Sequence, residues 1–363
     1  MKRIFFIFFI INLLNVSGQD LDSLKAVAAK LPNDTSRVNL FYNEGFLHRA
    51  IDAQYSYDCA KEAENYAQKA GLPFYAAKAS NLLGILFYRK GDLNSALRYH
   101  KTALKLRTLI NDKKGLALSE TNLGNIYSDL GRYKLAEEAY LKALEINNEL
   151  HLAKQIDNCL LNLGVLSTEL QMINVAENYF NRALKNSEKR FDYEIEASCL
   201  NNLAVINTIK RDFDAAIANS LNSIKIKGLM ENEMEMADSY LNIAVAYIKK
   251  KEAVPALENL LIADSIILKF NYLGAKVQSL KAWSEYYELE HNYEKGFEQL
   301  QKCNSLKDSL AKATKQIGEA DFVESPVNLS LVENEPNTFP FLYFNFLIII
   351  LIACAVFIFR HKR

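Results

Sequence analysis

Glycine and proline are scarce in this chain, 13 and 6 among 363 residues, which speaks against a turn-dense β architecture. Half of the residues are apolar, and Ala, Leu, Lys, Glu and Asn abound, a set that favours long helices. Histidine is equally thin. His48, His100, His151, His291 and His361 are dispersed, with no Cys, Asp or Glu recurring at ligand spacing on one helix face, so no metal site is expected. No glycine-rich phosphate loop, nucleophile elbow or paired-carboxylate pocket stands out, and the many acids are what solvated helix faces carry. The sequence therefore offers no catalytic residues and no cofactor, and it reads as a non-enzyme. An excess of positive charge is also missing: 43 Lys and Arg balance 43 Asp and Glu. Without Lys2, Arg3, Arg360, Lys362 and Arg363 at the two ends, the acids exceed the bases by five. Such a surface lacks the basic stripe that gripping a phosphate backbone requires, which argues against nucleic acid as a partner.

Against these absences stands a repeat. Gly84, Gly124 and Gly164 are 40 residues apart, and the same step lands on Ala204, Ala244 and Ser284. The preceding column reads Leu83, Leu123, Leu163, Leu203, Ile243 and Trp283; twelve residues after the small column stand Ala96, Ala136, Ala176, Ala216, Ala256 and Gly296. Small residues recurring on two helices mark where antiparallel helices cross closely, while the Leu and Tyr positions fill the space around the crossing. Gly91 and Gly131 fall at turns between helices, where a left-handed backbone is useful. Gln171, Arg211, Lys251 and His291 take that place in later units, so those turns are expected to use another conformation.

The wording of one unit, Asn122-Leu123-Gly124-Asn125-Ile126-Tyr127, then Gly131-Arg132-Tyr133, then Ala136, Tyr140 and Ala143, resembles the tetratricopeptide-repeat signature. The longer period is similar to that of kinesin light chain and the Rap-type peptide receptors of bacteria, in which both helices of the unit are extended. The resemblance implies an all-α fold, a solenoid of helical hairpins wound into a right-handed superhelix. Residues 72–320 are read as six regular repeats and 38–71 as a diverged one, in which Ala60, Tyr66 and Ala67 mimic a second helix; 19–37 supply a leading helix. Stacked units share one elongated core, so no second globular domain is expected.

Met1, Lys2 and Arg3, the apolar run Ile4 to Leu14 and the compact Val16-Ser17-Gly18 read as a signal peptide over residues 1–18. Residues 321–340, with Pro326, Pro336 and Pro340 among acidic and polar residues, read as an extended linker. Phe341 to Phe359 carries no charge and would make about 28 Å of helix, the length of a transmembrane span. Arg360, His361, Lys362 and Arg363 follow it while Glu333 and Glu335 precede it. The positive-inside rule then puts the tail, 360–363, in the cytoplasm, giving a single-pass cell-membrane protein with periplasmic repeats. In layout the chain resembles bacterial envelope tetratricopeptide-repeat sensors lacking the cytoplasmic output domain. Cysteines in an exported chain raise the question of disulfides, but Cys159 and Cys199 share a repeat position whose column reads Ala79, Ser119, Cys159, Cys199, Ser239 and Ser279. Cys serves there as a small packing residue, and equivalent positions of adjacent repeats lie about 8–10 Å apart, beyond disulfide reach.

One column is chemically suggestive: Leu82, Asn122, Asn162, Asn202, Asn242 and Ala282. It shares a helix face with the residues three further on, among them Asn125, Val165, Val205 and Val245, and in one repeat with Leu118 and Asp129. In tetratricopeptide-repeat proteins that face resembles the lining of the concave groove, and in the long-repeat receptors Asn at this kind of position holds the backbone of an extended peptide. An Asn amide accepts from a backbone N–H while donating to a backbone C=O, and the valines would make a mildly apolar floor with Glu169, Asp238 and Lys249 at its rims. The other reading keeps these asparagines for the protein itself, bonded to neighbouring helices or water to hold the stack in register. The function expected is a membrane-anchored scaffold binding a protein or extended peptide in its groove. The alternative is the ligand-binding half of a signal transducer whose output module is missing or supplied in trans.

Overall fold

The structure, a computed structural model, describes residues 20–315. Among these residues every regular element is an α-helix and there is no strand. A short leading helix, α1 (Leu21–Ala29), precedes seven antiparallel hairpins. They are α2 (Asp34–His48) with α3 (Ala53–Lys69), α4 (Pro73–Lys90) with α5 (Leu93–Leu109), and α6 (Lys113–Asp129) with α7 (Tyr133–Glu149). Then come α8 (Ala153–Glu169) with α9 (Ile173–Arg190), α10 (Tyr193–Ile209) with α11 (Phe213–Leu229), α12 (Glu233–Lys250) with α13 (Ala253–Phe270), and α14 (Leu273–Leu289) with α15 (Tyr293–Lys315). Aspartates open several of them. Asp92, Asp112 and Asp212 accept from the N–H groups of Ser95 (2.9 Å), Gly115 (2.9 Å) and Ala215 (3.2 Å), satisfying end donors that the helix itself cannot.

The turns follow a 20-residue beat. Gly71, Gly91, Asn111, Gly131, His151, Gln171, Phe191, Arg211, Glu231, Lys251, Asn271 and His291 all have positive φ. The expectation that Gln171, Arg211, Lys251 and His291 turn differently is therefore corrected: their φ values are 59°, 66°, 63° and 58°, close to the 67° of Gly131. Two backbone bonds enforce the geometry. At Gln171 they run from Gln171 N–H to the Thr168 carbonyl (3.0 Å) and from Met172 N–H to the Ser167 carbonyl (2.8 Å), the Schellman pattern that also closes the Gly91 turn. A Cβ built on Gly91 or Gly131 meets nothing within 4 Å, so a side chain at this place points into open space and only backbone strain opposes it. Gln171→Gly and Arg211→Gly are accordingly expected to raise stability by about 0.5–1 kcal/mol each. Chemical denaturation measures this, and a loss of stability in both variants would show that the side chains are held by something else.

Within each hairpin the helices meet through small residues. Ala96, Ala136, Ala176, Ala216 and Ala256 are fully buried. The glycines of the facing column are there because rings lie against them. A Cβ on Gly84 would stand 2.6 Å from His100 Nε2, on Gly124 2.5 Å from Tyr140 Cε1, and on Gly164 2.5 Å from Phe180 Cε1. Where the residue sixteen places on is Ser220 or Leu260, the small residue is Ala204 or Ala244. Between hairpins, each second helix packs on the next first helix, and first helices also approach one another: α2 with α4, α6 with α8, α8 with α10, α10 with α12, and α12 with α14. The second helices make no comparable approach, so the array bends toward its first helices, which line the inner face.

The expected single-pass membrane protein is corrected as well. Among the described residues no helix is long and apolar enough to cross a membrane. Even the strongly apolar α13 carries Glu258, Asp264 and Lys269, because one side of each helix faces water. The segments on which the expectation rested, 1–18 and 341–359, lie outside the described residues, as do the linker, 321–340, and the tail, 360–363.

Candidate functional site

The asparagine column runs along the inner face, and the structure shows what each amide does. Arg107, on α5, is almost fully buried and forms no ion pair with a carboxylate among the described residues. It donates to Ser119 Oγ (2.7 Å), the Gly115 carbonyl (3.0 Å) and Asn81 Oδ1 (3.5 Å). A guanidinium only donates, so Asn81 must turn its oxygen toward it. Asn122 then gives its Nδ2 to that same oxygen, at 3.0 Å. The device recurs three repeats later with a different cation. Buried Lys227 donates to the Glu235 carbonyl (2.8 Å) and Ser239 Oγ (3.1 Å), Ser239 donates to Asn201 Oδ1 (2.9 Å), and Asn242 Nδ2 donates to Asn201 Oδ1 (2.9 Å). Burial lowers the pKa of both cations, with Asp112 opposing it at Arg107 and Asp238 at Lys227.

Between the two networks the ladder is looser. Asn162 Nδ2 reaches Asn125 Oδ1 at 3.4 Å, an oxygen that already accepts from the Tyr140 hydroxyl at 2.7 Å. Asn202 Nδ2 donates to the Ser198 carbonyl of its own helix, at 2.9 Å. Each ladder NH2 thus makes at least one bond inside the array, and at Asn162 and Asn202 the second N–H has no acceptor among the described residues. The Oδ1 atoms of Asn122, Asn162, Asn202 and Asn242 accept from no described residue, and none of them is a buried orphan. Asn125 is the converse, its oxygen used and its NH2 open. The inner face accordingly offers a row of acceptor oxygens, with open donors at Asn125, Asn162 and Asn202.

Of the valines, Val165 is exposed at 43%, whereas Val205 and Val245 are half-buried and Val245 packs against the core around Ala244 and Tyr286. Leu118 is 47% exposed on the same face. The rims are partly tied down: Asp129 accepts from the Tyr88 hydroxyl (2.7 Å), Asp238 from the Tyr272 hydroxyl (3.1 Å), and Lys249 pairs with Glu285 (2.9 Å). Burial raises the pKa of Asp129 and Asp238, against the hydroxyl bonds that lower it. Sequence reasoning missed the two cation networks, although Arg107 and Lys227, Ser119 and Ser239, Asn81 and Asn201 each stand 120 residues apart.

Cys59, Cys159, Cys199 and Cys303 are free and buried. Burial pushes the Cys59 and Cys199 thiols up to about 12, which leaves them unreactive at neutral pH. Among the described residues no group of three His, Cys, Asp or Glu could hold a metal ion.

His100 couples the ladder to acidity. Its ring lies against Gly84, its Nδ1 is 3.5 Å from Asn122 Nδ2, and burial, reinforced by the Arg107 charge, pushes its pKa down to about 4. In the unfolded chain an imidazole titrates near 6.5, so only the unfolded state takes up a proton as the pH first falls. Stability is therefore unaffected by His100 above about pH 6.5 and declines from there to about pH 4, by on the order of 3 kcal/mol. His100→Phe, which copies Phe180 opposite Gly164, should remove that share of the acid sensitivity. Urea denaturation of both proteins across this range tests it, and parallel pH profiles would contradict it.

A family model for the tetratricopeptide repeat matches residues 75–149 and 115–189. No match was found among curated proteins. Solved structures of the same architecture include RapI in its apo form, 15% identical, with a TM-score of 0.65 over 76% of this chain and 99% of that one. A Rap protein complexed with competence and sporulation factor is 19% identical, with a TM-score of 0.59 over 80% of each chain. A tetratricopeptide repeat protein from Parabacteroides merdae is 16% identical, with a TM-score of 0.52 over 77% of this chain and 98% of that one. The tetratricopeptide-repeat signature is thus matched over residues 75–189, and hairpins of the same architecture are built on either side of it.

Proposed function

We propose that the chain is a non-catalytic scaffold that holds an extended peptide, or an extended segment of a protein, along its inner face. The unit doing so would be the repeats of 38–71 and 72–320, wound as the right-handed superhelix that the family resemblance implies. One observation carries the reading: each ladder asparagine bonds within the array through its NH2 group and leaves its oxygen unused by any described residue. A row of fixed acceptors beside the open Asn125 NH2 complements a peptide backbone, which supplies one N–H and one C=O per residue. Exposed Leu118 and Val165 would add apolar contact for side chains. A Rap conjugation gene regulator of similar fold was solved in complex with the Phr* peptide, which supports a peptide as the kind of ligand. The test uses the full chain as bait on a lysate of its source cells, beside the Asn162→Ala/Asn202→Ala variant. A partner retained by the first and lost by the second supports the proposal; equal retention refutes it.

A further inference from the structure

Each second helix of the array turns one face toward the next hairpin, whose first helix covers it. Leu93 and Leu97 of α5 form a buried cluster with Leu123 and Ile126 of α6. Tyr140 of α7 is buried with Leu163 and Leu166 of α8, and Phe180 of α9 with Leu203 and Ile206 of α10. On α15 these repeat positions are held by Tyr293, Phe297 and Leu300, which share one helix face. They keep the apolar character of the column, yet they are 65%, 61% and 41% exposed, since among the described residues no helix follows α15. Exposed apolar residues scattered singly are ordinary; three on one face, at positions that the array otherwise buries, make a contact surface without its cover.

The earlier hairpins define what covers such a face. It is an amphipathic helix with two large aliphatic residues three places apart: Leu123 and Ile126, Leu163 and Leu166, Leu203 and Ile206. The repeat pattern does not write another one in register. The next 40-residue step from these two positions falls on Val323 and Pro326, and the step from Ser279 and Ser284 falls on Glu319 and Glu324. Proline in a helix interior and carboxylates at a buried crossing do not suit a first helix of this kind. A second copy of the chain has no such helix to lend. Its first helices are packed within their own array, and α1 closes the other end, with Leu24 and Ala28 buried in one cluster with Val38 and Phe41. The rim adds a charge. Asn122 and Asn242, each one place before the aliphatic Leu123 or Ile243, donate to Asn81 and Asn201 of the preceding hairpin. The equivalent of Asn81 and Asn201 on α14 is Lys281, which is exposed and forms no ion pair with a described carboxylate. A cation in the place of an amide acceptor calls for a carboxylate in the place of the amide donor.

We propose that Tyr293, Phe297 and Leu300 of α15, with Lys281 of α14 at the rim, form a docking site for an amphipathic helix of another protein, which lies where an eighth hairpin would begin. The docked helix carries Asp or Glu immediately before the first of two aliphatic residues three places apart. This site is separate from the inner-face acceptors and does not depend on them.

A library of helices displayed on a rigid helical carrier, with one face randomised, is selected on the full-length chain, so that the residues after Lys315 are present as competitors. Selection should return helices with Asp or Glu followed by the aliphatic pair. Phe297→Asp should weaken them tenfold or more with the thermal melt unchanged, since Phe297 is mostly exposed in the free chain. Lys281→Glu should weaken them too, and should bind tightly the versions in which Lys replaces the acid, a reversal that general damage to the end would not produce. Asn162→Ala/Asn202→Ala should bind the same helices undiminished. No enriched helix, or helices indifferent to Phe297→Asp or to the charge reversal, would overturn the site; helices lost with the ladder variant would belong to the inner face instead. Sedimentation of the full-length chain tests the remaining occupant, because a dimer that Phe297→Asp converts to a monomer would assign the face to a second copy and likewise overturn the proposal.

Discussion

Gly164→Ala is expected to destabilise the array by about 1–3 kcal/mol, although it adds a single methyl group. The added Cβ would lie 2.5 Å from Phe180 Cε1 and 2.8 Å from Cδ1, and Phe180 is fully buried, so the ring has nowhere to retreat. Phe180→Leu should cost about 1–2 kcal/mol by the void it leaves. Combined, the two should cost less than their sum, because Ala opposite Leu is a pairing that the molecule already builds: Ala244 and Leu260 occupy these positions two repeats later and both are fully buried. A double-mutant cycle by chemical denaturation should return a coupling of about 1–2 kcal/mol that favours the pair. Additive losses would mean that the close approach is not what keeps Gly164 a glycine.

That pairing shows which part of the fold was legible in the sequence. The small-residue columns at a 40-residue step announce crossing helices, because close approach needs small side chains whatever surrounds them. Why glycine gives way to alanine after Gly164 was written as openly, in the column His100, Tyr140, Phe180, Ser220 and Leu260, but it is seen only when the two columns are read against each other. The turns misled for another reason. Glycine at Gly91 and Gly131 suggested a conformation reserved for glycine, yet Gln171, Arg211, Lys251 and His291 adopt it, since two backbone bonds per turn outweigh the modest cost of a left-handed residue. Least legible was the destination of the ladder amides. The sequence places Asn122 and Asn242 on the inner face, but whether the NH2 turns outward or toward Asn81 and Asn201 depends on how each helix is rotated against the previous hairpin, and on which buried cation fixes the neighbour's oxygen. Each ladder amide thus has a nitrogen bonded within the array and an oxygen that no described residue uses.

Asn162→Ala with Asn202→Ala is expected to weaken ligand binding ten- to a hundredfold while leaving the helical array nearly as stable as before. The choice of sites follows from the unequal bonding of the ladder. Asn122 and Asn242 each end a buried network anchored on Arg107 or Lys227, so their removal disturbs packing and binding together and separates nothing. Asn162 makes one long bond, 3.4 Å, to an oxygen that keeps its Tyr140 donor, and Asn202 bonds only to the Ser198 carbonyl of its own helix. Truncating them strands no buried donor, and the structural loss should stay near 0.5 kcal/mol per site. Each open oxygen that accepts a peptide N–H should contribute about 0.5–1.5 kcal/mol to binding, so losing two costs about 1–3 kcal/mol, a span in affinity that brackets the stated range. Titration of an extended peptide selected on the wild-type chain, alongside thermal melts of both proteins, measures the two quantities on the same samples. A variant that stays folded and binds as tightly as the wild type would remove the ladder from the site, and one that melts far below it would make these asparagines structural throughout.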